Sequence, residues 1–262
     1  MADIIASLSP QTTPVQAAVA RAAQRTGVSF HYLFNEARVE SALNPAARAR
    51  GSSAAGLFQF LEQSWLATVK AHGHEHGLGW AADAISVAAN GRAFISDATA
   101  RAAVLDLRLD PNAAASMAAA LALDNRVALE QATGRAAAPV DLYLAHFLGA
   151  AGAVRFLRAH EDNPDQPAAP LFAEAAAANQ NVFFNRDGSA RSLADIRRHF
   201  AEKLGEPVPL MPDGGDWRAR GLRMDAMASP LVMARMEPMP GKLSIDFAQA
   251  AYARLAQMEG AA

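Results

Sequence analysis

Alanine supplies much of the apolar content of this chain, and no other feature constrains its fold as strongly. Apolar residues make up 52% of 262 positions and charged residues only 19%, so a sizeable core is expected and wholesale disorder is not. Alternating runs of Val, Ile and Thr, which suit a pleated surface, are scarce. Alanine loses no side-chain entropy in a helix and is the strongest helix former, although it buries little area per residue. The expected fold is all-α.

Punctuation along the chain divides it into helices. Pro14 to Thr26 reads as a first helix, with proline in an early turn and Gly27 as its stop. A second follows Ser29, a good N-cap, carries Tyr32, Leu33, Glu36, Val39 and Glu40, and ends before Asn44-Pro45. Ala46 to Ala55 is expected to be a loop, and Gly56 to Phe60 leads into a helix holding Trp65 and Val69. The segment His72 to Gly79 has three glycines and is expected as a surface loop. Further helices are expected at Asp97–Asp106, Asn112–Thr133, Val140–His160, near Leu171–Ala178, and at Ser192–Leu204, where Ser192 and Asp195 make a capping pair. The expected organisation is an N-terminal tail over 1–13, one domain over 14–204, and an extended arm with a terminal helix, Ser244–Glu259, over 205–262. Met224, Met227, Met233, Met236 and Met239 in that arm read as adaptable packing or a partner surface.

Charge and composition narrow the function classes. A net charge of −2 gives no global basic field, which disfavours nucleic acid as a partner. The chain has no cysteine, which excludes disulfides, thiolate metal sites and cysteine nucleophiles. Met1 to Pro10 carries an acid where a secretion signal carries positive charge, and no segment reads as the ~20 apolar residues of a membrane span. His72, His74 and His76 alternate in a glycine-rich loop, a spacing that does not gather imidazoles on one helical face, so no metal site and no cofactor are expected.

The chemistry concentrates in Glu40-Ser41-Ala42-Leu43-Asn44-Pro45 and Ser52-Ser53-Ala54-Ala55-Gly56-Leu57-Phe58-Gln59. A carboxylate near the end of a helix is followed by a turn and a returning loop of small residues. Gly56 permits close backbone approach, and the Gln59 amide offers both donor and acceptor. A carboxylic acid between apolar walls keeps its proton more readily and can donate it to a glycosidic oxygen. These elements resemble the signature of soluble lytic transglycosylase family 1, whose fold is that of goose-type lysozyme: a Glu-Ser pair, then Asn-Pro, then Gly-Leu-Met-Gln. Phe58 stands where the methionine is usual, and the loop is one residue longer than the common form. The third element of the family, Ala-Tyr-Asn-Ala-Gly, has an altered counterpart in Ala145-His146-Phe147-Leu148-Gly149, and the resemblance covers roughly Pro14 to Leu157.

The resemblance implies a peptidoglycan lytic transglycosylase, acting in the periplasm or cell envelope on glycan strands. Glu40 would protonate the bond between N-acetylmuramic acid and N-acetylglucosamine, then take the proton of the muramyl 6-hydroxyl as a 1,6-anhydro ring closes. No second carboxylate is required, unlike the usual glycosidase. Ser41, Ser53 and Gln59 are the expected substrate contacts. His146 occupies the position of the family tyrosine that touches the catalytic acid, and Tyr143, three residues earlier on the same helical face, is positioned to supply that hydroxyl. Glu36 reads as a solvated outer-edge charge paired with an arginine, the alternative being a second acid in the cleft. Two rival functions stand: a hydrolytic muramidase on the same fold, and a non-catalytic component of a wall-spanning apparatus that uses residues 205–262.

Overall fold

A computed structural model describes residues 13–205, which are mostly helical. The expected arm and terminal helix, and the tail before Thr13, lie outside the described residues. The order is α1 Pro14–Thr26, α2 Phe30–Ser41, α3 Glu62–His72, α4 Gly79–Ala84, a hairpin of β1 Ser86–Val87 and β2 Ala93–Phe94, α5 Ala98–Asp106, a 3₁₀ turn Leu107–Leu109, α6 Pro111–Thr133, α7 Pro139–Asp162, α8 Ala173–Ala178, α9 Gln180–Phe183 and α10 Leu193–Leu204. The antiparallel hairpin pairs Ser86 with Phe94 and Val87 with Ala93. Neither it nor the short α9 was expected, because segments of two to four residues carry no readable period. The glycine-rich stretch is a turn only between its ends: His72 closes α3 and Gly79 opens α4.

Local chemistry sets the helix ends. Thr13 and Gln16 form a reciprocal capping box on α1, and Gly27 ends it in the left-handed region. The Ser29 hydroxyl accepts from the Tyr32 amide at the start of α2, Asp110 caps α6, and Ser192 with Asp195 boxes α10. These contacts fix where each helix begins, and so which residues each turns inward.

α6 is the central strut, packed against α1, α3 and α7. Ala113, Ala114, Ala115, Ala118, Ala119, Ala120 and Ala122 are all buried along it, so its first half is covered on every side. Small side chains let neighbouring backbones approach closely, which is how an alanine-rich chain still fills a core. α7 lies against α6 on one side and α10 on another. By length and composition α7 could cross a bilayer, yet 67% of its apolar window is buried inside the fold, as expected of a core helix. It also kinks at Gly149, whose φ of 73° breaks the helical ladder.

A buried acid ties α10 to the start of α7. The Asp141 side chain is fully enclosed and accepts from Arg135 Nη1 at 2.8 Å, Arg197 Nη2 at 2.9 Å and the Ala138 amide at 3.1 Å. Both guanidinium groups keep about a third of their surface in solvent, so unpairing them is less costly than stranding a fully buried charge. Asp141→Ala is expected to destabilise the fold by about 3 kcal/mol, the lower end of the range for breaking a buried pair. Thermal unfolding measures it.

Candidate active site

The site begins where α2 ends. Ala42 and Leu43 follow the helix with φ of 53° and 64°, and Gln59 has φ of 48°; these are the non-glycine residues with positive φ among the described residues. All three flank the Glu40 turn or its returning loop. Backbone strain gathered in one place persists only where the surroundings over-determine it.

The loop is over-determined by backbone contacts. Gly56, at φ 81°, lies so close to the 3₁₀ turn that a Cβ there would sit 1.8 Å from the Arg108 carbonyl oxygen. The close approach expected of this glycine is therefore to protein backbone. The buried Arg108 guanidinium donates to the carbonyls of Ser53 at 2.6 Å, Leu105 at 2.9 Å and Phe60 at 3.1 Å. Sequence reasoning missed this clamp, since Leu-Arg-Leu reads as an ordinary surface charge.

Three expected substrate contacts are turned to structural work. Gln59 is buried, and its amide nitrogen donates to the carbonyls of Gly56 at 2.9 Å and Ala47 at 3.3 Å. The Ser41 hydroxyl bridges the Leu57 carbonyl at 2.8 Å and the Ala37 carbonyl at 3.1 Å, fastening α2 to the loop. Ser53 Oγ accepts from the Glu62 amide at the start of α3. The reason is common to all three: a tightly folded loop leaves backbone groups needing partners, and nearby polar side chains meet that need. Trp65 is a core residue, with Nε1 donating to the Val104 carbonyl at 2.8 Å. Two of the three histidines of this stretch pair with carboxylates, His72 with Asp124 and His74 with Asp83.

The structure brings Glu40, Tyr143 and His146 together. The Glu40 side chain is only 6% exposed. Its Oε1 accepts from the Tyr143 hydroxyl at 3.0 Å and lies 3.6 Å from His146 Nε2. Lys203 Nζ, from the last turn of α10, donates to the Tyr143 oxygen at 3.3 Å and was not foreseen. Burial, and then the Glu40 charge, push the Tyr143 phenol well above its ordinary value, so it stays a donor. Burial pulls the Lys203 ammonium down, with Glu40 opposing.

Glu36 departs most from expectation. It is buried on the inner face of α2 and pairs with a histidine, not an arginine: Oε1 lies 3.1 Å from His146 Nδ1. The imidazole thus stands between two carboxyls, stacked on the Tyr143 ring at 5.7 Å between centroids. Burial raises the Glu36 carboxyl to about 7; His146 and a Tyr32 hydrogen bond pull it down, and Glu40 pushes it up. Beside the pair lies a pocket walled by Tyr32, Phe58, Leu121, Asn125, Glu36 and His146, with room for little more than one water. Glu40 is not part of its wall, and the sugar-sized cleft expected beside Glu40 is not what this concavity is. No protein-family model matches the chain.

The Glu36 shift has a sign that can be checked. A carboxyl near 7 in the fold and near 4.5 in the open chain means that the native state binds the extra proton between those values. Its stabilising contribution is complete below pH 4.5 and is lost as pH rises through 7. Glu36→Gln, neutral throughout, is expected to gain melting temperature relative to the parent protein as pH climbs from 4.5 to 8, read by thermal scans across that range.

Proposed function

We propose that the chain is a peptidoglycan lytic transglycosylase in which Glu40 is the acid and then the base. The observation that carries this reading is the hydrogen bond from the Tyr143 hydroxyl to a Glu40 carboxyl held almost out of solvent at the end of α2. The family tyrosine is absent at 146, yet a phenol reaches the acid from one turn earlier. Glu40 as an acid would protonate the glycosidic oxygen while the C1–O bond of the muramyl residue breaks. As a carboxylate it would take the proton of the muramyl 6-hydroxyl as that oxygen bonds to C1. Glu40 then ends the cycle protonated, as it began. Tyr143, with Lys203 behind it, would stabilise the carboxylate between the two steps without taking a proton from it. Peptidoglycan lies outside the cytoplasmic membrane, so this reading puts the site of action in the periplasm or envelope.

A second reading has its own support. The concavity beside the acids is water-sized, which suits a wall-spanning apparatus component that keeps the site without turnover. Purified sacculi distinguish the readings. Release of anhydro-muropeptides supports lytic cleavage, products heavier by one water indicate a muramidase, and no release favours the scaffold. Under the lytic reading, Glu40→Gln loses turnover while its unfolding transition stays intact. Tyr143→Phe is expected to lose about ten- to a hundredfold in kcat, the value of one hydrogen bond to a charged group. Full activity in Glu40→Gln removes Glu40 from the mechanism.

A further inference from the structure

We propose that Glu36 is a proton reservoir for Glu40, the two joined through the imidazole of His146; this rests on the reading of Glu40 as the acid. The geometry is a line of three groups. Glu36 Oε1 lies at ion-pair distance from Nδ1, 3.1 Å, and Nε2 lies 3.6 Å from Glu40 Oε1. Glu36 Oε2 and His146 Nε2 are both buried without a hydrogen-bond partner. A histidine serving only to satisfy a core would have both nitrogens bonded. Here the free nitrogen is aimed at the acid.

The transfer conserves protons and charge. The Glu36 O–H bond breaks as an Nδ1–H bond forms, and the Nε2–H bond breaks as a Glu40 Oε1–H bond forms. One proton has moved from Glu36 to Glu40, one negative charge has moved the other way, and the imidazole is neutral before and after as opposite tautomers. With the proton on Glu36, Nε2–H donates to a Glu40 carboxylate. With the proton on Glu40, Nε2 accepts from a Glu40 carboxylic acid. The 3.6 Å separation is longer than a hydrogen bond, and the relay requires it to tighten, as catalytic contacts do on substrate binding. The water-sized pocket walled by Glu36 and His146 gives the reservoir a route for exchange with solvent.

The groups that act on Glu36 are Glu40 and Tyr32 from its own helix and His146 from α7; α1 and α6 supply no charge to it among the described residues, Asn125 of α6 being neutral. Those facing Glu40 are Tyr143 and His146 from α7, with Lys203 of α10 one contact further. A carboxyl at about 7 holds a transferable proton near neutral pH, as a reservoir must.

Two measurements on the full chain test this. Nitrogen-detected NMR of the His146 ring, assigned by its loss in His146→Phe, reads the tautomer without substrate. The expected result, with spectra taken on either side of the Glu36 ionisation near 7, is a ring proton on Nε2 at the lower pH and on Nδ1 at the higher, with no such exchange in Glu36→Gln. One tautomer at both pH values, or an exchange that survives Glu36→Gln, overturns the proposal. On sacculi, Glu36→Gln is expected to move the alkaline limb of kcat/KM toward acid by about one pH unit, losing about tenfold at pH 7 and recovering by pH 5. An equal loss at every pH marks a structural role and also overturns it. If the parent protein releases no glycan product, the transglycosylase reading fails, while the NMR result still reports on the relay.

Discussion

Two carboxyls one turn apart on α2 are turned inward against α7, and the site is organised around satisfying both. Like charges at such spacing repel, and burial raises the cost of each. The protein meets the two acids with different partners from one helix: Tyr143 for Glu40 and His146 for Glu36. The pairing runs in reverse order along the two helices, so a single contact between them sets both interactions. It also drives the environments apart. Glu40 receives a phenol backed by an ammonium, whereas Glu36 receives an imidazole and a burial large enough to hold its proton near neutrality.

The loop from 42 to 60 explains why that contact is reproducible. Positive φ at Ala42, Leu43 and Gln59 would relax if the loop were free. Gly56 pressed against the Arg108 backbone, the Arg108 guanidinium across three carbonyls, and the Ser41 bridge together hold it. Side chains expected to meet a ligand are thus spent on holding α2 at a fixed angle. Under the proposed function, positioning of this kind would serve Glu40 without touching a substrate.

Much of the frame was legible because it rests on local rules. Ser29 and Ser192 start helices by short-range hydrogen bonds, and Gly27 stops one in the left-handed region. Tyr143 could be named from its place three residues before His146. What escaped depends on partners far along the chain. Glu36 looks like a solvated edge until His146 is brought to it, and Lys203 is an ordinary last-turn cation until α10 folds over Tyr143. Arg108, Gln59 and Ser41 escaped for a different reason. Near or far along the chain, their partners are backbone carbonyls, which every sequence has and no residue pattern marks.

His146 then reads as one part of a coupled set. A phenol beside an acid adds a donor and no charge near neutral pH. An imidazole can add a full positive charge, which would strip the acid of its proton. His146 stands between the two carboxyls, 3.1 Å from Glu36 and 3.6 Å from Glu40, and Tyr32 also hydrogen-bonds to Glu36. Tyr143 completes the set with its hydroxyl on Glu40. Each of the three is intelligible only with the other two, so substitutions among them should depart from additivity as groups in one hydrogen-bonded network do.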